Sequence, residues 1–157
     1  MINKIYLDID GVLADFRGQC EKFNCIKGTK VNWDVVHAGG AEFWEDIEWI
    51  EESKEFFTWL KKLCAEENME LYTLTAVRST EGKIGRMNWM KSNLGIDKHH
   101  LLIVNLGKEK GYYADPDSVL IDDYKKNCDI FVEAGGQAIK FDTPNQTKED
   151  LLKLIGA

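Results

Sequence analysis

The sequence predicts an α/β fold of the Rossmann-like type: a three-layer α/β/α sandwich with a mostly parallel five-stranded sheet and a small helical cap inserted after strand 1. Short apolar segments alternate with helix-like stretches in the second half of the chain, as in βαβ units. The interval between the first two apolar segments is much longer than one crossover helix requires, which indicates an insertion. A length of 157 residues is typical of one domain.

Each strand is predicted from a short run of apolar, partly β-branched residues. The five runs are Lys4–Leu7, Glu70–Leu74, Leu101–Asn105, Ser118–Ile121 and Ala138–Phe141. The helix-like stretches between the later strands are Glu81–Asn93, Lys108–Ala114 and Tyr124–Ala134, and Gly135-Gly136 ends the last of these. A final helix is predicted to begin at the capping sequence Thr147–Asp150.

Residues 17–67 are predicted to form the cap, and residues 1–16 and 68–157 the core domain. Apolar residues recur at helical spacing from Ala41 to Glu66, so we expect the cap to be helical. The insertion holds four of the five tryptophans, and buried aromatic residues usually serve packing. This is the interpretation for Phe56, Trp49 and Trp59, whereas packing and ligand contact both stay open for Phe16, Phe43 and Trp44.

Composition and charge exclude several classes of function. The chain has 20 basic and 27 acidic side chains and a formal charge of -7, which argues against a nucleic-acid polymer as partner. Its four cysteines show neither a zinc-ligand nor a disulfide pattern. The amino-terminal apolar stretch is too short and too charged for a signal peptide or a membrane span. We therefore expect a cytoplasmic monomer or homodimer that does not bind membranes.

A pair of carboxylates ends the first strand, in the sequence Asp8-Ile9-Asp10-Gly11-Val12. Successive strand residues point to opposite faces, so Asp8 and Asp10 share a side. Like charges this close repel each other unless a cation or a proton lies between them. A divalent metal ion is the obvious candidate.

Two later strands also end in polar residues. Their tips carry Thr75-Ala76 and Asp122-Asp123, and Lys108 and Lys110 lie between these tips in the chain. The carboxyl ends of parallel strands meet at one edge of a sheet, so these groups are expected to share a crevice with the first strand's carboxylates. Mg²⁺ prefers carboxylate, water and phosphate oxygens, and the set predicts a site for Mg²⁺ and phosphate. Each of these short motifs alone has a structural explanation, such as capping of the following helix by Asp122-Asp123. Their occurrence in this order, each after an apolar strand or between two strands, is hard to obtain by chance.

The four pieces resemble, in order and over nearly the whole chain, the four motifs of the haloacid-dehalogenase-like (HAD) superfamily of phosphatases. Within it, the opening from Asp8 to Phe16, the Phe43-Trp44 pair and the ending Leu120–Asp123 resemble the 5'(3')-deoxyribonucleotidase branch. The resemblance implies a Mg²⁺-dependent phosphomonoester hydrolase. Its expected substrate is a small phosphorylated metabolite, a (deoxy)nucleoside monophosphate in that branch.

The resemblance also implies a role for each motif residue. Asp8 is the expected nucleophile, which forms a phospho-aspartyl intermediate, and Asp10 the expected general acid and base. Thr75 and the Ala76 amide are expected to hold the phosphoryl oxygens. Lys110 is expected to neutralise the negative charge of Asp8 and of the transferred phosphoryl group. It is preferred to Lys108 because its distance in sequence from the Asp-Asp strand is more typical of the family.

The metal site implied by the resemblance consists of Asp8, the backbone carbonyl of Asp10, Asp123 as a direct ligand, and Asp122 acting indirectly by positioning Lys110 or a water. Phe16, Phe43 and Trp44 are expected to hold the base of the substrate. Arg78 is interpreted as a surface residue, with a contact to phosphate or sugar as the alternative, and His37 as a structural or surface residue.

Several alternatives stay open from the sequence. The substrate could be another small metabolite such as a sugar phosphate, and the phosphoryl group could pass to a sugar hydroxyl instead of water. A receiver-like signalling domain uses similar residues but carries its phosphorylated aspartate after a middle strand, where this chain has Asn105-Leu106. A phospho-ligand-binding protein without turnover is a further alternative.

Overall fold

A central parallel sheet organises the structure, a computed structural model that describes all residues from Met1 to Ala157. Its strands are β1 (Lys4–Leu7), β4 (Glu70–Ala76), β5 (Leu101–Val104), β6 (Ser118–Asp122) and β7 (Gln137–Lys140). They lie side by side in the order β5-β4-β1-β6-β7, and every pair is parallel. The predicted fold class and all five predicted strands are confirmed, with end shifts of at most two residues.

Seven α-helices and two short 3₁₀-helices connect or flank these strands. The α-helices are α1 (Phe16–Lys22), α2 (Trp33–Ala38), α3 (Gly40–Glu45), α4 (Ser53–Glu66), α5 (Thr80–Asn93), α6 (Lys125–Glu133) and α7 (Pro144–Ile155). The 3₁₀-helices are Lys98–His100 and Gly107–Tyr113, and the second of them replaces the helix expected at Lys108–Ala114. None of these helices has the length and apolarity that crossing a bilayer requires.

The two faces of the sheet carry separate apolar clusters, because alternate strand residues point in opposite directions. Leu7 and Ile121 belong to the large cluster, to which α4, α5 and α7 contribute residues such as Leu60, Trp89 and Leu151. Tyr6, Leu74 and Leu120 point the other way and pack with Phe131 of α6. Helices therefore cover both faces, and the strand ends stay at the edges of the layers.

The insertion after β1 is not wholly helical. Between α1 and α2 the chain forms an antiparallel hairpin of β2 (Ile26–Lys27) and β3 (Lys30–Val31). Gly28 has a φ of 64°, a conformation that a glycine adopts readily and that suits a two-residue hairpin turn. The insertion therefore contains a short hairpin besides its helices. The boundaries at residues 17 and 67 stay a prediction.

The last helix begins earlier than the sequence indicated. Pro144 is its first residue, and the preceding Thr143 caps it, with its Oγ1 accepting a hydrogen bond from Gln146 N at 3.2 Å. Proline suits the first helical position because its φ is already helical and no amide hydrogen is needed there. Thr147, the expected cap residue, is instead the fourth residue of α7, and it is buried.

Replacement of the exposed cap in Thr143→Ala is expected to lower the free energy of unfolding by about 1 kcal/mol, because one amide at the start of α7 loses its acceptor. The measurement is urea denaturation followed by circular dichroism. Thr143→Ser keeps the hydroxyl and is the matched control, with stability near that of the wild type. Equal stability of all three proteins would contradict the assigned cap.

Candidate active site

The carboxyl ends of three neighbouring strands converge on one cleft. Asp8 directly follows β1, Thr75 and Ala76 end β4, and Asp122 ends β6. The cleft has a volume of about 710 Å³. Its lining includes Asp8, Asp10, Thr75, Ala76, Lys110, Asp122 and Asp123. The structure thus brings together every residue to which the sequence analysis assigned metal binding, phosphate binding or catalysis.

Lys110 joins two of these strand tips. Its Nζ donates to Asp8 Oδ1 at 2.9 Å and to Asp122 Oδ2 at 2.8 Å, and its side chain is 2% exposed. Burial alone would lower the pKa of Lys110, but the two carboxylates outweigh it and raise the pKa above the usual value. Lys108 lies exposed in the same 3₁₀-helix. Only Lys110 is therefore placed to act on Asp8.

Asp122 is held by hydrogen bonds on both of its carboxylate oxygens. Oδ1 accepts from the Tyr124 amide at 2.9 Å, and Oδ2 accepts from Lys110 and from Asn127 Nδ2 at 3.1 Å. Although burial opposes ionisation, these donors, with Lys110 foremost, lower the pKa of Asp122. Asp122 is therefore a fixed anion whose main contact is the ammonium group that also faces Asp8.

Asp8 and Asp123 form the part of the acidic cluster that lacks enough positive charge. One carboxylate oxygen from each of Asp8, Asp122 and Asp123 lies within 4.8 Å of the others. Burial raises the pKa of Asp8 well above its usual range despite Lys110. Asp123 is an exposed residue, but desolvation of its carboxylate by the surrounding atoms, together with the nearby Asp122, raises its pKa to about 6. Carboxylate oxygens thus outnumber the nearby cations in this cluster, and like charges this close repel each other. Such oxygen atoms are the ligands that Mg²⁺ and Ca²⁺ prefer.

A tight turn after β1 brings Asp10 to the cleft and lets Asp123 approach. Gly11, with a φ of 78°, donates its amide to Ala14 O at 3.0 Å. A Cβ at Gly11 would lie 2.7 Å from Asp123 Cγ, closer than real side chains allow. The glycine is therefore required both by its backbone conformation and by the carboxylate beside it.

Thr75 provides a hydroxyl with no partner in the protein. Its side chain is 1% exposed, and Oγ1 makes no hydrogen bond, although buried hydroxyls are nearly always paired. Because Thr75 and Ala76 both line the cleft, this hydroxyl is available to a ligand there. An anion with several acceptor oxygens, such as a phosphoryl group, would provide the hydrogen-bond partner that Thr75 Oγ1 lacks.

The aromatic residues considered for substrate contact divide into two groups. Phe16 and Trp44 line the cleft, with ring centroids 5.4 Å apart. Phe43 has no exposed surface, does not line this cleft or the cavity beside it, and packs edge-on against Phe16, so the expected contact between Phe43 and a substrate is not supported. Adjacent helical residues point about 100° apart, which explains why only one of this pair faces the cleft.

A second cavity of about 570 Å³ adjoins the first and shares Trp33, Trp44 and Ala76 with it. Its lining also includes His37, which the sequence had suggested was a structural or surface residue, and Arg78, for which a contact to phosphate or sugar was the alternative to a surface position. Arg78 follows the tip of β4 by two residues, so the convergence of strand ends was the available signal for it. A group attached to a phosphate in the cleft has room in this cavity.

Arg86 is a residue of this site that the sequence analysis missed. It lies on α5 with 0% exposure and forms an ion pair with Asp10. Its spacing from Trp89 and Met90, three and four positions further on, puts it on the buried face of the helix. Arginine is rarely fully buried without a charged partner. An arginine at a core position of the helix was therefore the sequence signal that could have indicated a buried ion pair here.

The sequence matches no protein-family model and no curated protein. Solved structures with a similar fold include a HAD family hydrolase from Deinococcus radiodurans R1 with bound phosphate and sodium (TM-score 0.55, 14% identity, 87% of this chain and 79% of that one). A HAD-superfamily hydrolase from Ehrlichia chaffeensis matches over 99% of both chains, with a TM-score of 0.55 and 14% identity. A HAD family enzyme from Bacteroides thetaiotaomicron, in complex with magnesium and inorganic phosphate, has a TM-score of 0.50 and 14% identity over 90% of this chain and 95% of that one. At these identities the likeness shows a shared HAD-type fold.

Lys110→Met is expected to lower the free energy of unfolding by about 3–5 kcal/mol at neutral pH, because it leaves the buried carboxylates of Asp8 and Asp122 without their cation. Without Lys110 the already raised pKa of Asp8 rises further and the lowered pKa of Asp122 rises as well, so the folded variant binds protons more readily. Its deficit relative to the wild type therefore shrinks as the pH falls. Urea denaturation in a chelator-containing buffer at several pH values measures this.

Lys108→Met is the matched control, since it removes an equivalent but exposed ammonium group from the same 3₁₀-helix. We expect its stability to stay within about 0.5 kcal/mol of the wild type. A similar loss in both variants would contradict the special position of Lys110.

Proposed function

We propose that the protein is a Mg²⁺-dependent phosphomonoester hydrolase that acts through a phospho-aspartyl intermediate on Asp8. The observation that carries the proposal is the buried contact between Asp8 and Lys110 beside the Asp122-Asp123 pair, with the unpaired hydroxyl of Thr75 in the same cleft. The similar HAD family hydrolase from Deinococcus radiodurans and the similar HAD family enzyme from Bacteroides thetaiotaomicron hold phosphate, and the second also holds magnesium. These ligands support the same chemistry for this fold.

The acidic donors fit a magnesium ion. Asp8, Asp123 and the backbone carbonyl of Asp10 are the groups that would hold it, while Asp122, already occupied by three donors, would act by fixing Lys110. When bound, the ion would neutralise negative charge on the phosphoryl group and on the attacking carboxylate.

The side chains of the cleft divide the reaction between them. A carboxylate oxygen of Asp8 attacks phosphorus, while Lys110 offsets the repulsion between two anions. Thr75 and the Ala76 amide hold the phosphoryl oxygens. Asp10 gives a proton to the leaving oxygen as the P–O bond breaks, and it then takes a proton from the water that hydrolyses the acyl phosphate.

The proposed substrate is a (deoxy)nucleoside monophosphate. The motif resemblance to the 5'(3')-deoxyribonucleotidase branch motivates this choice, and the cavity beside the cleft supports it. That cavity has the indole rings of Trp33 and Trp44 and the imidazole of His37 in its lining, together with the polar Arg78 and Asn105. Flat aromatic walls favour stacking of a planar group such as a nucleobase.

The first test is Asp8→Asn, which is expected to lower phosphate release by at least about 10³-fold because an amide cannot serve as the nucleophile. Phosphate release with Mg²⁺ is measured on nucleoside monophosphates, sugar phosphates and an aryl phosphate. Asp129→Asn, on an exposed residue of α6, is the matched control and keeps wild-type turnover. Full turnover by Asp8→Asn would refute the mechanism, and preference for a sugar phosphate would refute the nucleotide substrate.

The second test concerns the metal. Chelation is expected to abolish turnover and added Mg²⁺ to restore it. Asp123→Asn is expected to raise the Mg²⁺ concentration for half-maximal activity by at least about tenfold, because it removes one anionic donor from the cluster. An unchanged Mg²⁺ requirement in Asp123→Asn would exclude this residue as a ligand.

A further inference from the structure

Arg86 is a charged side chain with no exposed surface, and its ion-pair partner is Asp10. Asp10 keeps 24% of its side chain exposed and lines the cleft, whereas Arg86 does not line it. The pair therefore spans the boundary between the apolar core and the site. A ligand in the cleft can touch Asp10 but not the guanidinium group behind it.

Two indole rings enclose the guanidinium group. Arg86 Cζ lies 5.1 Å from the Trp44 ring centroid and 5.6 Å from that of Trp89. Aromatic faces attract cations at such distances. Trp89 is itself fixed, because its Nε1 donates to Ile47 O at 2.6 Å. The group that contacts Asp10 is consequently held against two aromatic rings, one of which is itself fixed.

Burial of Arg86 in the core is unfavourable for the free energy of folding. Its Nε and Nη1 are buried without any hydrogen-bond acceptor, and only Nη2 bonds, to Asp10 Oδ1. Burying unpaired donors costs free energy, and an apolar side chain of similar volume is often neutral or stabilising at such a site. Stability therefore does not explain an arginine here. Apart from the two indole rings, the contact that distinguishes Arg86 from an apolar residue is the one with Asp10.

We propose that Arg86 is a positioning residue for proton transfer by Asp10. This inference rests on the proposed phosphatase function. The guanidinium group fixes Oδ1, which leaves Oδ2 as the oxygen that carries the proton. Oδ2 gives that proton to the leaving oxygen while the P–O bond breaks and the phosphoryl group passes to Asp8. In the second step the same oxygen takes a proton from the attacking water.

Leaving-group dependence separates this role from a merely structural one. An alkyl phosphate releases a strongly basic alkoxide and needs the proton, whereas p-nitrophenyl phosphate releases a stable anion and hardly needs it. The parameter kcat/KM includes phosphoryl transfer, so it reports the step in which the leaving group departs. The full-length wild type, Arg86→Met, Arg86→Lys, Asp10→Asn and the Arg86→Met/Asp10→Asn double variant are compared on both substrates.

Arg86→Met is expected to lose at least about tenfold in kcat/KM on the alkyl phosphate and less than about threefold on p-nitrophenyl phosphate. Arg86→Lys keeps a cation and recovers part of the alkyl phosphate activity, and it carries the same test if Arg86→Met does not fold. Asp10→Asn shows the same bias between substrates. The double variant is no slower than Asp10→Asn, because the two residues act as one unit.

Equal losses of Arg86→Met on both substrates, or additive losses in the double variant, would overturn the role of Arg86 while leaving the phosphatase intact. A wild-type protein that releases phosphate from neither substrate would overturn the proposed function, and the role of Arg86 with it. Circular dichroism spectra confirm that the compared variants are folded.

Discussion

The contact of Lys110 with Asp8 and Asp122 is the interaction on which the site depends. These residues come from three separate segments of the chain, and the ammonium group between them is almost fully buried. A carboxylate in that position, without a cation, would be protonated or would push the strand tips apart. Lys110 therefore stabilises the convergence of β1 and β6 and opposes the burial that favours protonation of Asp8. In the proposed mechanism the ammonium group of Lys110 also attracts the phosphoryl dianion.

A second buried cation, Arg86, pairs with Asp10 as Lys110 pairs with Asp8. Each of the two carboxylates after β1 thus has its own cation behind it, which removes much of their mutual repulsion. The turn at Gly11 places Asp10 and admits Asp123 beside them. Asp123 is the member of the cluster without such a partner, and its raised pKa of about 6 reflects desolvation by the surrounding atoms and the nearby carboxylates. The arrangement is consistent with a divalent ion at that end of the cleft.

The sequence was sufficient to predict the sheet and the strand tips, because apolar runs ending in Asp8, Thr75 and Asp122 mark both at once. It was not sufficient for groups whose position depends on how helices rotate against the sheet. The buried side of α5, which carries Arg86, and the orientation of Phe43 away from the cleft are set by packing with the insertion. Lys108 and Lys110 differ by two residues in a 3₁₀-helix, and the preference for Lys110 came from the family resemblance, whereas in the structure the backbone path brings Lys110 to Asp8.

The central claim is that Asp8 becomes covalently phosphorylated. Its most direct measurement is rapid acid quenching during turnover, reduction of any acyl phosphate with borohydride, and peptide mass spectrometry of the product. The account predicts that Asp8, and no other carboxylate, is converted to the reduced residue, and only when substrate and Mg²⁺ are both present. Modification at another residue, or steady phosphate release with Asp8 unmodified at every quench time, would contradict it.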